Sequence, residues 1–500
     1  NVINFEEEIS KFKKIDEIIF ELKKDNLINN LLGIKPTKGV GRGKASDLTE
    51  FSLIEREISK QRAHISYRQL MSRAGNAMRD IKPCFMLSPI SLSQISDIGT
   101  DMFDVLVIDE ASQMRIEDAI GGIVRSKQII VVGDPEQLPP SNFFDSSLAI
   151  DDDGIVDDDE SILDLAIAKF KPKRMLKWHY RSNHESLINF SNKYFYNDSL
   201  IIPPSANDKF AINHNKVKGT YVSRSKSLEN SPGTTGGTNE IECKQISEAV
   251  VRFMKNNSNK SCLVVTMNNV QRDLIDEQIR LHANSEPAVE EYKSLWQDTM
   301  EPFVVKNLEN VQGDERDYIF ISTLFGPNKD GNIMQRFGPI NNPKGHRRLN
   351  VLFTRAKSGI ELFTSLNSED IKDSDKAVRG RLIFKKYLEY SRNRMLDSGV
   401  ETGKGTDSDF EDWVKAELEL HGYQVTPQVG VSGFYIDLGI KHKDYPHGYL
   451  AGVECDGATY HSSLSARDND IVRQQILESY GWNIYRIWST SWFQDPDKEL

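Results

Sequence analysis

Apolar residues recur at three- and four-residue steps through most of residues 1–82, as in FEEEISKFKKIDEIIFELKKDNLINNLLGI (5–34). This spacing places apolar side chains on one face of an α-helix. We therefore predict a charged, helical accessory segment whose apolar stripe packs against other parts of the protein. A loop rich in glycine and basic residues, KGVGRGKAS (38–46), interrupts the pattern.

From about residue 83 the pattern changes to short apolar runs that end in polar loops. The runs are CFMLSPISL (84–92), FDVLVIDEAS (103–112), QIIVVGDPEQLPP (128–140), SCLVVTM (261–267), DYIFIST (317–323) and GIELFTS (359–365). Such runs, alternating with helical segments, predict parallel sheets whose strands are buried on both faces. Ligands of these sheets bind at the carboxyl ends of the strands.

The last part of the chain has a different organisation. Residues 397–409 lack apolar periodicity and predict an interdomain linker. Residues 410–500 then predict a compact unit with the order helix, strand, strand, helix, strand. The first strand of this unit is expected to end near Asp437, within GVSGFYIDLGI (430–440), and the second is expected in YLAGVECDGATYH (449–461).

Length and composition limit the protein classes. Five hundred residues exceed one hydrophobic core and predict an α/β protein of several domains. No apolar run approaches the roughly 20 residues of a membrane span. The four cysteines form no CxxC pair, which favours a reducing cytoplasm over a disulfide framework or a zinc module. The net charge of −11 means that nucleic acid would need local basic grooves.

The acidic run DDDGIVDDDE (151–160) has two interpretations. A solvated loop is the simpler one. A calcium site is disfavoured, because the ligand spacing of an EF-hand is missing.

The first candidate chemistry is at the strand that ends in Asp109 and Glu110. One carboxylate can hold Mg²⁺, and the second can orient or deprotonate an attacking water, as nucleotide hydrolysis requires. In GDPEQLPP, at the end of the next strand, Gln137 could sense a γ-phosphate. A capped strand end in an unrelated α/β protein is the alternative if these two motifs are taken alone.

Three downstream motifs narrow the choice. They are WHYRS with Arg181, VQGDERD with Gln312, Gly313 and Glu315, and RRLNVLFTRAK with Arg348 and Arg355. In this order the set resembles superfamily 1 helicases of the Upf1-like (Dna2/NAM7-type) group, over roughly residues 83–395. The resemblance implies two RecA-like domains, the first incomplete at 83–169 and the second at 170–396.

The resemblance also implies roles for matching residues. Asp109 would hold Mg²⁺, and Glu110 would act on the attacking water. Arg181 and Arg355 would act as arginine fingers, which stabilise the charge that develops in phosphoryl transfer. The expected ATP-binding residues are Gln137, Gln312, Gly313, Glu315 (at the ribose) and Arg348. Ser88 and Thr323 could touch nucleic-acid phosphates, although ordinary loop hydroxyls explain them equally well.

A phosphate-cradling loop, GxxxxGK[S/T], is missing from its expected place. In KGVGRGKAS, Gly43-Lys44 is followed by Ala45 in place of a hydroxyl residue, and Lys38 stands where the first glycine belongs. The chain begins with Asn1 and not Met, so we expect the P-loop to lie upstream of this chain; loss of ATPase activity is the alternative. We expect the chain alone not to hydrolyse ATP efficiently.

The second candidate chemistry is a set of residues in the C-terminal unit: Glu411, Asp437, Glu454, Asp456 and His461. Alternate residues of a strand share a face, so Glu454 and Asp456 should point the same way. Carboxylates that converge from a helix and separate strands can bind Mg²⁺ or Mn²⁺ for phosphodiester cleavage, with Asp437 and Glu454 as the expected ligands.

This unit resembles the Vsr-like branch of the PD-(D/E)xK endonucleases, whose members carry a similar ExDGxxxH run. The lysine expected two residues after the glutamate is Asp456 here. Either His461 or Arg473 could supply the missing positive charge, and the residues alone do not choose between them.

Together these features predict an ATP-dependent DNA translocase or helicase with a fused metal-dependent endonuclease. The arrangement resembles large bacterial helicase–nuclease fusions of anti-phage defence. DNA is favoured, RNA stays open, no membrane is expected, and the oligomeric state is undetermined. One alternative is a non-catalytic nucleic-acid-binding or assembly module with a degenerate motor and nuclease. Another is an active nuclease that uses the motor as a clamp.

Overall fold

The computed structural model describes residues 5–95, 102–140, 160–223, 237–373, 377–396, 405–456 and 471–499. The chain divides into two compact units. The first comprises Asn1–Pro135, Pro139–Asn142 and Asp158–Lys173; the second comprises Glu136–Leu138, Phe143–Asp157 and Arg174–Leu500. The acidic run at 151–159 lies outside the described residues. None of the described helices is both long enough and apolar enough to span a membrane.

The first unit begins with the predicted helices: α1 (Phe5–Gly33), α2 (Glu50–Ser59) and α3 (Tyr67–Ile81). Helices α2 and α3 pack together through Leu53, Ala74 and Ala77, which are at most 4% exposed. The apolar side chains of α1 behave differently, since Ile18 and Leu22 are 58% and 62% exposed. The expectation that the stripe of α1 is packed is therefore wrong in this structure.

The small sheet of the first unit has two parallel strands, β1 (Phe103–Ile108) and β2 (Ser126–Val131), with Ile108 opposite Val131. Helices α5 (Ile116–Ile123) and α6 (Ile162–Lys169) contribute Ala119 and Ile162 to its core. The expected burial on both faces is not found, because Val107 of β1 is 58% exposed.

The strand predicted at 84–92 is also wrong, because residues 84–88 have no regular structure and Pro89–Ile95 form helix α4. The reason is local. Proline fits the first turn of a helix, where its missing N–H is not needed. The Ser88 hydroxyl caps the turn by accepting from Ser91 N at 3.2 Å.

The second unit contains a five-stranded parallel sheet in the order β3-β7-β6-β4-β5. Its strands are β3 (Ile212–Lys216), β4 (Cys262–Thr266), β5 (Val305–Asn307), β6 (Arg316–Ser322) and β7 (Ala356–Thr364). Its helices are α7 (Ser186–Phe195), α8 (Glu240–Asn256), α9 (Asn269–Ala283), α10 (Pro287–Gln297), α11 (Gly345–Phe353) and α12 (Arg379–Asn393). Every residue of β4 is buried, as the apolar pattern predicts for a central strand.

The same unit ends in a four-stranded mixed sheet in the order β11-β10-β9-β8. The strands are β8 (Gln424–Val431), β9 (Phe434–Lys441), β10 (Ala451–Asp456) and β11 (Ile484–Trp488). Helix α13 (Asp409–Leu420) packs on this sheet through Val414 and Leu418; α14 (Arg473–Ser479), α15 (Ser489–Trp492) and α16 (Pro496–Glu499) follow.

The strand expected to end near Asp437 continues to Lys441 as β9, and it is the second strand of a hairpin whose first strand, β8, is missing from the predicted order. Strands β8 and β9 pair in antiparallel fashion, with Val431 opposite Phe434. Gly433 in the turn has φ +82°, a left-handed conformation that glycine adopts without steric cost. With this correction, the α/β fold class, with parallel sheets, a helical N-terminal part and a C-terminal sheet domain, is confirmed.

Candidate active sites

Asp109 and Glu110 stand at the carboxyl end of β1, and both are exposed. Glu110 adopts a left-handed backbone conformation with φ +50°, and its N–H donates to Asp109 Oδ1 at 2.9 Å. The chain then turns back, and Ala111 N donates to Val132 O at 2.9 Å. The strand end therefore presents two carboxylates to solvent at the place where parallel sheets bind ligands.

Arg181 is brought together with Glu315 in the second unit. Its Nε donates to Glu315 Oε2 at 2.9 Å, and its Nη1 donates to Thr354 O at 3.4 Å. Lys357 Nζ lies 3.3 Å from the other oxygen of Glu315. Partial burial would raise the pKa of Glu315, but the bonds from Arg181 and Lys357 outweigh it and the pKa lies below its usual value.

Arg348 and Arg355 are both buried around helix α11, at 4% and 3% exposure. Arg348 Nε donates to Glu309 Oε1 at 2.6 Å. Arg355 Nε donates to Val351 O at 2.9 Å, and its Nη2 donates to Thr354 Oγ1 at 3.1 Å. Both guanidinium groups therefore bond to their own unit, and their nucleotide roles stay predictions.

Gln137 and Gln312 meet in the second unit, where Gln312 Nε2 donates to Gln137 Oε1 at 3.4 Å. Gly313 has φ +85° in the turn before β6, which explains a glycine at this place. Thr323 is fully buried and its hydroxyl bonds to Thr364 Oγ1 at 2.9 Å, which favours the interpretation as an internal hydroxyl.

Asp437 and Glu454 come from adjacent antiparallel strands. Leu438 of β9 pairs with Val453 of β10, so Asp437 and Glu454 occupy the next position along each strand. Asp437 Oδ2 accepts a hydrogen bond from Cys455 N at 2.7 Å. Burial first, and then the charge of Glu454, raise the pKa of Asp437 to about 7 despite that bond. Asp437 and Glu454 thus lie close together at a site that is partly shielded from water.

Two arginines accompany the carboxylates of β10. Arg473 Nη2 lies 3.0 Å from Glu454 Oε1, and Arg486 Nε lies 2.9 Å from Asp456 Oδ2. Among the described residues, Arg473 is thus the candidate cation that the structure places beside Glu454. His461 lies outside the described residues.

Glu411 is near this cluster, because its charge contributes to the raised pKa of Asp437. Its carboxylate accepts from Ser408 Oγ, Asp407 N and Gln428 Nε2, each at 3.0 Å. These bonds order the start of α13 and its contact with β8. A catalytic role for Glu411 stays a prediction beside this structural one.

The donor set suits Mg²⁺, which commonly binds through one or two carboxylates and completes its shell with water. Asp437 and Glu454 are such a pair. Within the described ranges, no group of three or more histidine, cysteine, aspartate or glutamate side chains is placed to hold a metal ion. The fit therefore rests on the two carboxylates alone.

The sequence analysis does not identify several residues that contact the candidate site residues. Lys357 contacts Glu315 and Arg486 contacts Asp456, but each pair is distant in the chain, so the sequence around each residue does not reveal its partner. Phe434, whose ring lies 4.3 Å from the Arg473 guanidinium, follows a turn that the pattern did not separate. No local signal identifies these contacts.

Comparisons with known proteins match three parts of the chain. Two models described as AAA domains match residues 87–143 (AAA_11) and 159–366 (AAA_12), and the model REase_MTES_1575 matches residues 410–500. The chain is similar to an uncharacterized ATP-dependent helicase of Mycoplasma genitalium, with 27% identity over 84% of this chain and 38% of that protein. Its Mycoplasma pneumoniae homolog is 30% identical over 79% of this chain and 36% of that protein.

The ATP-dependent helicase NAM7 of Saccharomyces cerevisiae is 26% identical over 52% of this chain and 25% of that protein. A solved structure of the C-terminal domain of a possible Lactobacillus DNA helicase aligns with 37% of this chain and 86% of that one, but 11% identity and a TM-score of 0.20 support no argument. The chain spans little more than a third of the length of the two mycoplasma proteins. It contains Upf1-like superfamily 1 helicase domains followed by a restriction-endonuclease-like domain at its C-terminus.

Proposed function

We propose that this chain is the motor and nuclease part of an ATP-dependent DNA translocase that cuts DNA with a divalent metal ion. The helicase relatives support nucleic-acid binding and ATP use. DNA as the substrate rests on the nuclease-like domain, because the endonucleases that it resembles cleave DNA. RNA is the alternative substrate.

The motor chemistry is proposed for the residues of the helicase motifs. Asp109 and Glu110 would serve Mg²⁺ and the attacking water at the end of β1. Gln137, Gln312, Gly313, Glu315 and Arg348 would bind the nucleotide. Arg181 and Arg355 would stabilise the charge that develops on the phosphoryl group, an effect worth orders of magnitude in rate. The Arg181–Glu315 ion pair supports this assignment, because it joins two of the motifs.

The observation that carries the nuclease proposal is the pairing of Asp437 with Glu454 on adjacent strands. A bound Mg²⁺ or Mn²⁺ would supply an activated water and stabilise the leaving oxygen. The two carboxylates would hold the ion, and Arg473 would orient the Glu454 carboxylate through their contact at 3.0 Å. Arg473 would also offer positive charge to a DNA phosphate, a role that the missing lysine fills in the resembling family.

A second candidate function, a non-catalytic DNA-binding module, is favoured by one observation. Asp456 and Glu454 are each paired with an arginine, as expected for a cluster that only neutralises its own charge. The same nuclease assay distinguishes the two functions, because a binding module would retain DNA without cutting it.

The test is plasmid nicking by the full 500-residue chain with Mg²⁺ or Mn²⁺, with and without ATP. We expect Asp437→Ala and Glu454→Ala to abolish cleavage, while the exposed Glu478→Ala control cuts like the wild type. Unchanged nicking by either variant would refute the nuclease site. Retention of DNA without metal-dependent nicking would favour the binding module.

Defence against phage is the cellular role that we propose for this combination of motor and nuclease. Bacteria that express the protein should give fewer plaques than bacteria that express its Asp437→Ala variant. Equal plaque counts in both strains, across several unrelated phages, would count against this role.

A further inference from the structure

The nuclease-like domain is seated on a defined part of the helicase region within the second unit. Trp482 Nε1 donates to Pro204 O at 2.9 Å. Tyr449 N donates to Ala206 O at 2.8 Å, and Ala206 N donates to Tyr480 O at 3.2 Å. We call residues 177–208 the docking segment, because these contacts and those below all use it.

The contact is close and apolar at its centre. Ala206 packs in one buried cluster with Val429, Phe434 and Trp482. At Gly448 a side chain would have no room, since a Cβ there would lie 2.2 Å from Ala206 O. The domain therefore has one well-defined seat on the docking segment.

The beginning of the docking segment is part of the same arrangement. Ile201 N donates to Lys177 O at 2.8 Å, and His179 N donates to Ile201 O at 3.1 Å, so residues 177–179 lie beside residue 201. Tyr480 Oη of the nuclease-like domain donates to His179 O at 3.3 Å. The backbone is thus anchored on both sides of Trp178, whose side chain is 47% exposed.

A continuous set of contacts runs from Trp178 to the nuclease carboxylate. The ring of Trp178 meets the ring of Phe434 edge to face, with centroids 5.5 Å apart and an interplanar angle of 78°. The guanidinium of Arg473 lies 4.3 Å from the centroid of the same Phe434 ring. Arg473 also donates to Tyr435 O and lies 3.0 Å from Glu454 Oε1.

We propose that Trp178, a residue of the helicase motif WHYRS, is a positioning residue for the nuclease carboxylate Glu454, acting through Phe434 and Arg473. This inference rests on the nuclease function proposed above. A carboxylate that holds a metal must stay within about 0.5 Å of its productive position, which requires locked supporting side chains. The supporting side chain is Arg473, and the aromatic ring against it is held in turn by Trp178.

The contacts from Trp178 to Glu454 begin in a helicase motif, which gives them a functional meaning. Trp178 precedes Arg181 by three residues, and Arg181 pairs with Glu315 of the next motif. The segment that carries a proposed arginine finger is therefore also the segment that supports the nuclease carboxylate. Movement of this segment during the motor cycle would be passed to the nuclease site through two aromatic rings and one guanidinium.

The test measures Mg²⁺-dependent plasmid nicking by the full chain for Trp178→Ala, Arg473→Gln and the double variant. Replacing supporting residues of a metal site commonly costs 10- to 100-fold, so we expect about a tenfold loss of kcat for Trp178→Ala and about a hundredfold loss for Arg473→Gln. The plasmid KM of Trp178→Ala should stay unchanged, because Trp178 acts on Glu454 through Phe434 and Arg473. The double variant should match Arg473→Gln alone, because residues that act through one another are not additive.

Matched controls separate positioning from general damage. Trp178→Phe retains an aromatic ring and should stay within about twofold of the wild type, since the edge-to-face contact survives. Tyr180→Ala removes an aromatic side chain that is 85% exposed two residues away, and it should also cut normally. If Trp178→Ala fails to fold, Phe434→Leu keeps the bulk and must show the same loss.

Normal cleavage by Trp178→Ala, or a double variant whose losses multiply, would overturn the inference. If the wild type does not cut at all, the nuclease proposal has failed, and Mn²⁺ binding measured by electron paramagnetic resonance decides the inference separately. Weaker Mn²⁺ binding by Trp178→Ala, restored in Trp178→Phe, would support it. Equal binding by Trp178→Ala and the wild type, or no binding by the wild type, would refute it.

Discussion

Two carboxylate pairs, both at strands of α/β sheets, have opposite surroundings in this protein. Asp109 and Glu110 are neighbours in sequence at the open end of β1, and Val107, two residues before Asp109, is 58% exposed. Asp437 and Glu454 are separated in sequence and meet across β9 and β10, where the neighbouring Leu438 and Val453 are 0% and 3% exposed. The first pair is exposed to solvent, and the second pair is half-buried beside a packed core.

The difference explains why one pair is easy to find in a sequence and why the other is electrostatically unusual. An apolar run followed by Asp-Glu is visible locally. The raised pKa of Asp437 depends on burial and on Glu454, which only the fold brings near. The predictions below compare matched substitutions in the two environments.

The largest difference should appear when apolar contacts are removed. Leu438→Ala creates a cavity in the cluster with Val414 and Leu418, and it should lower the free energy of unfolding of the nuclease-like domain by about 2–5 kcal/mol. Val107→Ala removes a side chain that is mostly in water and should lower the stability of the first unit by less than about 0.5 kcal/mol. Urea unfolding, followed by the fluorescence of buried Trp482 and Trp492 for the domain and by limited proteolysis for the first unit, measures both effects.

Wild-type protein and an exposed substitution in the domain, Tyr485→Ser (62% exposed), provide the baseline for this comparison. A stability loss from Val107→Ala as large as that from Leu438→Ala would mean that β1 is covered in solution. That outcome would contradict the difference in burial between β1 and β9.

The next effect concerns pH in metal-free buffer. The pKa of Asp437 rises from 3.8 in the unfolded chain to about 7 in the folded one, so the native state binds the extra proton between these values. The stabilisation that comes from protonated Asp437 is complete below pH 3.8 and is lost as the pH rises towards 7. Between pH 5 and pH 8 the loss should be about 2–3 kcal/mol, and Asp437→Asn should remove that part of the pH dependence.

Asp109→Asn is the matched control for the pH experiment, because Asp109 is exposed at the end of β1. Its unfolding curve at pH 5 and pH 8 should shift with pH as the wild type does. A pH dependence that persists unchanged in Asp437→Asn would show that another group is responsible.

A smaller effect, alike in both regions, is expected at two helix caps. Ser408 Oγ accepts from Glu411 N at 3.2 Å, and Ser161 Oγ accepts from Asp164 N at 3.1 Å. Loss of such a cap typically costs about 1 kcal/mol. Ser408→Ala and Ser161→Ala should therefore destabilise their own parts equally in urea titrations. A clear inequality would show that Ser408 does more than cap, namely that it fixes Glu411 beside Asp437.

The smallest effect is expected at the surface of the two-stranded sheet. Lys127 Nζ of β2 lies 2.9 Å from Asp104 Oδ1 of β1, and both side chains are well exposed. Exposed ion pairs contribute little, because water and salt screen them. Lys127→Ala should leave the proteolysis midpoint of the first unit unchanged at physiological salt, and a resolvable shift would contradict the open character of this sheet.

The apolar pattern predicts the central strands well, because β4, β6 and β7 are buried on both faces. It fails at 84–92, where Pro89 and the hydroxyl of Ser88 favour a helix start over a strand. It also misses β8 and the turn that joins β8 to β9, although Gly430 and Gly433 mark this turn. Both failures come from local turn chemistry that hydrophobic periodicity does not contain.

The candidate site residues follow the same division. Asp109, Glu110, Asp437 and Glu454 are identifiable because each stands in or after an apolar run. The residues that support these carboxylates are not identifiable from the sequence. Arg473 lies 19 residues from Glu454, and Trp178 is more than 250 residues from Phe434. Choosing between Arg473 and His461 as the cation requires the fold for the same reason.

Gly448 lies against the carbonyl of Ala206, and the apolar side chains of Phe434 and Trp482 pack beside it, so the seat of the nuclease-like domain uses both backbone and side chains. Any larger residue at position 448 would push the two backbones apart. A nuclease-like domain transplanted from a related motor would therefore land in the same orientation only if it keeps this glycine and these apolar side chains.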